Sequence, residues 1–142
     1  MSDKQEPWYG SMRLQYSTKS LYNYLITEEK LFTNRYDLYS FGLVYGILHN
    51  KKNEDRKEGF IPIVGLPKHV LDVLNISYLI LNDGRDAKVI FQEMCEYADG
   101  GVIALNEIYK ENKSFTIPDL IRDAEELWKE RVKNLQNINL SK

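Results

Sequence analysis

Two histidines, one cysteine and a scatter of carboxylates are the side chains here that could hold a metal or attack a substrate. Their spacing puts none of them to that use. There is no HExxH, no CxxC and no histidine pair at helical spacing. His49 falls near the end of a helix, where positive charge is favourable, and His69 falls in the first turn of another; both read as structural. Cys95 lies inside an apolar face with no histidine nearby in sequence, which reads as packing rather than as a nucleophile. Gly84, Gly100 and Gly101 form neither GxxxxGK nor GxGxxG, so no phosphate loop is indicated. Asp83 with Asp86, and Glu107 with Glu111, place carboxylates at helical spacing, but acid–base work also needs a pocket. A nuclease would need carboxylates gathered around a metal, and no such set is recognisable. The expectation is a non-enzyme with no catalytic residue, no metal and no cofactor.

Two stretches could instead bind something. Lys51, Lys52, Arg56 and Lys57 lie in the polar run KKNEDRKEG, and such cations could hold phosphates. Glu54, Asp55 and Glu58 dilute them, and a solvated loop is the competing reading. The formal net charge of −2 does not indicate a generally basic nucleic-acid binder. The second stretch is aromatic. The chain has ten tyrosines, most of them early, and Trp8, Tyr9, Tyr22 and Tyr24 are candidates for an interaction surface. A core with a hydroxylated rim would use tyrosines equally well.

The positioning elements begin with Thr33 to Asn50, TNRYDLYSFGLVYGILHN, which is apolar on nearly every side and so predicts a buried helix. Thr33 or Asn34 would cap it, with Asp37 in its first turn. Gly42 and Gly46 leave one side of bare backbone that a neighbour can approach. The run Leu38 to Leu48 is shorter than the roughly 20 residues a bilayer requires, so a core helix is expected. MSDKQEPWYG lacks an apolar h-region, and one cysteine excludes an internal disulfide; both suit a cytoplasmic location.

Around that helix the chain reads as one domain over 12–137. A flexible arm (1–11) precedes it, in which Trp8 and Tyr9 could be pinned to the body, and a frayed end (138–142) follows. Residues 12–16 alternate with period two, a short strand, and could pair with the extended segment 60–67. Ser17 or Thr18 caps a short helix through Leu25. A second largely buried helix is predicted at 68–81, and a third from a cap at Asp83 to about Ala98. Asp99, Gly100 and Gly101 should form a turn, after which a fourth helix starts. Thr116 opens a final amphipathic helix carrying Leu120, Leu127, Trp128 and Leu135. The predicted fold class is mainly α, a compact bundle of five to six helices with a two-stranded β ribbon.

Three segments together resemble a known family: RYDLYSFGLVYGILHNKK (35–52), LNISYLILND (74–83) and EYADGGVIALNEIY (96–109). Their order is similar to that of the small proteins associated with Dnd (DNA phosphorothioation) systems of bacteria and archaea. In that pattern an apolar helix leads into a short basic run. An apolar segment with a terminal Asp comes next, and then a Tyr-Ala-Asn-Gly-Gly-hydrophobic turn. Here Tyr97, Ala98, Gly100, Gly101 and Val102 match the turn, and Asp99 stands in place of Asn. The resemblance spans roughly residues 20–110. It implies an accessory role in prokaryotic anti-phage defence linked to sulfur-modified DNA, through contacts with other protein subunits. DNA and a second copy of the chain are further candidate partners, and no membrane is expected. The matched positions do no recognisable chemistry, so the resemblance carries over no catalytic residue.

Overall fold

The computed structural model describes residues 7–111 together with Arg122, Glu126, Trp128–Arg131 and Lys133. In chain order it contains strand β1 (Arg13–Tyr16), helix α1 (Lys19–Asn23), a π-helical turn (Tyr24–Glu28), α2 (Arg35–His49), β2 (Glu58–Pro62), α3 (Lys68–Leu81) and α4 (Ala87–Glu111). The architecture is mainly helical, with five helical segments and a two-stranded antiparallel ribbon among the described residues.

The ribbon pairs the two predicted extended segments, with Leu14 opposite Ile61, Tyr16 opposite Glu58, and an irregularity between Leu14 and Gln15. Ile63 continues it by donating its N–H to the Met12 carbonyl at 3.1 Å. Leu14 and Tyr16 point into the core, as their alternation implied. The helix through Leu25 does not stop there. It widens, with Glu29 N–H reaching the Tyr24 carbonyl at 2.8 Å, a bond that spans five residues instead of four.

The α2 helix forms where expected and is buried on both faces through Leu38, Tyr39, Phe41, Leu43, Val44 and Ile47. Asn34 is its N-cap residue in extended conformation. It ends at Asn50, which takes the left-handed region (φ 52, ψ 52), and Lys51 N–H reaches back to the Gly46 carbonyl at 2.8 Å. That is a Schellman closure with asparagine in glycine's usual role.

Two expectations are corrected. First, Asp99, Gly100 and Gly101 do not form a turn. They sit in the middle of α4, which runs unbroken from Ala87 to Glu111. The glycines serve proximity instead of chain reversal. A Cβ on Gly101 would overlap the Gly42 carbonyl, and one on Gly42 would stand 2.6 Å from the Ala98 oxygen. A Cβ on Gly46 would overlap Tyr97, and one on Gly100 would overlap the Lys51 carbonyl. Two interior glycines cost a helix about 1 kcal/mol each relative to alanine. Close packing of α4 on α2 outweighs that local preference. Asp86, not Asp83, caps this helix: its carboxylate accepts the Lys88 N–H at 3.1 Å.

Second, α3 is not largely buried. It seats Val70, Leu74 and Ser77 in the core, while Leu79 is 54% exposed. The second central rod is α4, through Ile90, Phe91, Met94, Cys95, Ala98, Val102 and Leu105. The expected pinning of Trp8 to the body is seen. Trp8 stacks on Tyr78 with ring centroids 4.4 Å apart, and its indole N–H donates to Asn75 Oδ1 at 2.9 Å. Residues 1–6 and 138–142 and most of the final amphipathic helix lie outside the described residues. Of that helix, the described residues are helical and Trp128 is buried.

Candidate functional site

Asp99 is the most unusual side chain in the core: a carboxylate with no exposure, on the buried side of α4. An acid in that place needs donors. The ribbon's end supplies three. Ser17 donates its backbone N–H at 3.1 Å and its hydroxyl at 2.6 Å, and Thr18 donates its hydroxyl at 3.4 Å. Thr18 begins α1 without a side-chain cap bond, because its hydroxyl is turned to Asp99. Lys57 supplies the opposite charge, with Nζ 3.3 Å from Asp99 Oδ2 and the lysine side chain only 6% exposed.

That contact decides what the basic stretch does. Lys57 Nζ also donates to the carbonyls of Asn53 and Asp55, both at 2.7 Å, which holds the ammonium beside Asp99. Asn53 donates its side-chain amide to Ser17 Oγ at 3.0 Å and its backbone N–H to the Glu96 carbonyl at 2.9 Å. Lys52 bonds Glu93 at 2.7 Å and lies over the Tyr97 ring. Partial burial works against the ionised Glu93, but hydrogen bonds from Lys52 and Arg85 still hold its carboxyl below the usual range. Residues 51–57 therefore form a strap stitched along α4. Of the four cations singled out in sequence, Lys51 and Arg56 point to solvent, Lys52 is engaged at the surface, and Lys57 is internal. They do not converge as a phosphate-binding set, which corrects the sequence reading for Lys57.

The aromatic candidates also separate. Tyr22 is fully buried and cannot belong to a surface. Tyr24 is half-buried and donates its hydroxyl to Glu29 at 2.8 Å; Trp8 and Tyr9 are half-buried against α3 and each other. Cys95 sits 3.1 Å from the Tyr39 hydroxyl, and burial pushes its thiol up to about 12 despite that hydrogen bond. A thiol so raised is a poor nucleophile at neutral pH. Burial likewise raises the hydroxyls of Tyr22 and Tyr39.

Two concavities were not foreseen. One, of about 440 Å³, is apolar; Phe32, Phe41, Val44, Val73 and Trp128 line it, and the His69–Asp37 pair stands at its rim at 2.8 Å. The other, of about 520 Å³, lies between the ribbon, the strap and the first half of α4, and is ringed by charges of both signs. The sequence signal that could have exposed the Asp99–Lys57 contact is the placement of Asp99 beside Cys95, Ala98 and Val102, where an acid implies a buried partner. Among the described residues no three His, Cys, Asp or Glu side chains gather in a way that could hold a metal, and no helix is long and apolar enough to cross a membrane. No family model, curated protein or solved structure matches the chain.

Proposed function

We propose that this chain is a non-enzymatic accessory subunit of a prokaryotic DNA phosphorothioation-linked, Dnd-type anti-phage defence system, acting in the cytoplasm through contacts with other protein subunits. The observation that carries the reading is the resemblance of segments 35–52, 74–83 and 96–109. Those segments are also joined in space: the first supplies α2, its closing turn and the start of the strap, and the third supplies the stretch of α4 that meets Gly42, Gly46 and Lys51. The reactive side chains of the core support the same reading. Ser17 and Lys57 are engaged by Asp99, and Cys95 by Tyr39, within the fold. The apolar groove beside α2 offers a surface for a partner.

Co-expression with the products of the adjacent genes, followed by size-exclusion chromatography, tests this. Co-elution with one of them is expected; a chain that elutes alone from every combination overturns it. The alternative, a DNA contact through residues 51–57, keeps Lys51 and Arg56 as its exposed cations. It predicts salt-dependent retardation of duplex DNA that is lost in the Lys51→Glu, Lys52→Glu double variant. No retardation at low salt removes it.

A further inference from the structure

The chain contains two Asp–Gly steps, Asp83–Gly84 and Asp99–Gly100. Such steps are prone to rearrange without an enzyme, because glycine has no side chain to shield its nitrogen and leaves the backbone free to turn. The fold treats the two in opposite ways. Asp99 and Gly100 lie in the middle of α4, and the acid has no exposure. Helical dihedrals keep the Gly100 nitrogen turned away from the Asp99 side chain. Asp83 and Gly84 lie in the link between α3 and α4, outside both helices. The Asp83 side chain is 58% exposed. Gly84 takes a φ of +94, and nothing beyond its chain neighbours stands within 4 Å of where a Cβ would be.

We propose that Asp83–Gly84 is a site of isoaspartate formation and that Arg85 sets its rate. The Gly84 nitrogen attacks the carboxyl carbon of Asp83. The new C–N bond closes a cyclic imide, and the proton of that nitrogen leaves with the carboxyl hydroxyl as water. Water then reopens the ring. Entry at the former side-chain carbonyl restores aspartate. Entry at the main-chain carbonyl breaks the original peptide bond and leaves the chain running through the β-carbon. One water leaves and one returns, so the mass is unchanged.

Arg85 restrains the step. Its Nε donates to Asp83 Oδ1 at 2.6 Å and its backbone N–H to the same oxygen at 3.3 Å, which fixes the carboxylate on Arg85. The side-chain bond also holds the carboxyl below its usual range, and the ionised form has no hydroxyl to lose. Asn82 Oδ1 adds a restraint by accepting the Gly84 N–H at 3.1 Å. These bonds are exposed, and exposed ion pairs are weak and open often. The brake at Asp83 is therefore partial, whereas freeing Asp99 would take the core apart.

The change would reach beyond the link. Arg85 also bonds Glu93 at 2.7 Å, and Glu93 bonds Lys52 at the start of the strap at 2.7 Å. An isoaspartate adds a carbon to the backbone and moves the carboxylate, which takes the acid out of this chain of ion pairs.

Peptide mapping of the full chain after warm storage in mildly acidic buffer tests the proposal, with an isoaspartyl methyltransferase and a labelled methyl donor reading the product. Label is expected on the peptide holding residue 83 and not on that holding residue 99. Arg85→Ala, which changes an exposed side chain, should raise the label at 83 about threefold or more as the carboxyl returns toward its ordinary range. Asp83→Glu, whose longer side chain closes the ring far more slowly, should abolish it. In denaturing urea, wild type and Arg85→Ala should label alike and residue 99 should label too, so a difference confined to the native chain reports the fold. No label at 83 in native wild type or in Arg85→Ala overturns the site. Label at 99 equal to that at 83 in the native chain overturns the argument from placement. A wild-type rate in Arg85→Ala overturns the part given to Arg85.

Discussion

Gly101 and Asp99 stand two positions apart on α4 and therefore face nearly opposite ways. Toward α2, the helix presents a residue with no side chain, and the contact works by having no atom between two backbones. Toward the ribbon it presents a carboxylate, and the contact works by giving both oxygens hydrogen-bond donors and a counter-charge. The first interface is spoiled by adding matter, the second by taking it away. Both are buried, and neither owes its specificity to apolar area. A helix with ordinary side chains at these positions would still be amphipathic, but it could not lie this close to α2 or hold the strap.

The largest effect is expected at the polar contact. Asp99→Ala should cost about 3–5 kcal/mol, because it leaves the Lys57 ammonium and the Ser17 N–H buried with lost partners. Urea unfolding measures it. Replacing both ions, as Asp99→Leu with Lys57→Met, should cost clearly less than the sum of the single changes; additivity would show that the two do not interact.

At the glycine seam the sign is the test. Gly101→Ala should destabilise by about 1–3 kcal/mol through overpacking. Were the two helices not in backbone contact there, the same change would stabilise α4 by up to about 1 kcal/mol through helix propensity. A rise in melting temperature would therefore refute the seam.

The pH dependence addresses the core beside the clasp. Cys95 is raised from an ordinary 9.0 to about 12 by burial, so the fold favours the protonated thiol. Its contribution is fully present below pH 9.0 and is lost as pH climbs from 9.0 toward about 12. Tyr22 and Tyr39, raised in the same direction, add to that alkaline loss. Stability measured by denaturant midpoints should fall across that window, and a thiol reagent at pH 8 should label Cys95 only in denaturant.

Two smaller effects bound the comparison. Trp8→Ala removes a stacked ring and one hydrogen bond at the edge of α3, for about 1 kcal/mol. Lys51→Glu changes a side chain in solvent and should stay within about 0.5 kcal/mol by thermal melting.

What could be read in the sequence follows from whether local and long-range demands agree. In α2 they agree: a cap at Asn34, apolar residues all round, and a close at Asn50 all point to one buried helix. The ribbon is legible for the same reason, since alternation at 12–16 and Pro62 in an extended run are local signals. At Asp99-Gly100-Gly101 they conflict. The local chemistry is that of a turn, and only the arrival of α2 and the strap makes it helix. In α3 the composition is as apolar as a buried rod, yet one face alone meets α2 and α4. The strap was the least legible. Its charge density describes a solvated loop, and nothing local marks Lys57 as the cation that turns inward to an acid 42 positions further along the chain, at Asp99. The two concavities depend on how separate elements meet, so no single stretch of sequence encodes either.

The uninterrupted course of α4 has a mechanical side. Its 25 residues make a rod roughly 37 Å long at the usual 1.5 Å rise. Lys88 marks one end and Glu107 nearly the other, with Gly42 gripping the middle. A force applied near Lys88 would pass into one unbroken rod that α2, α3 and the ribbon grip along its length, so its two ends cannot shift independently of the core.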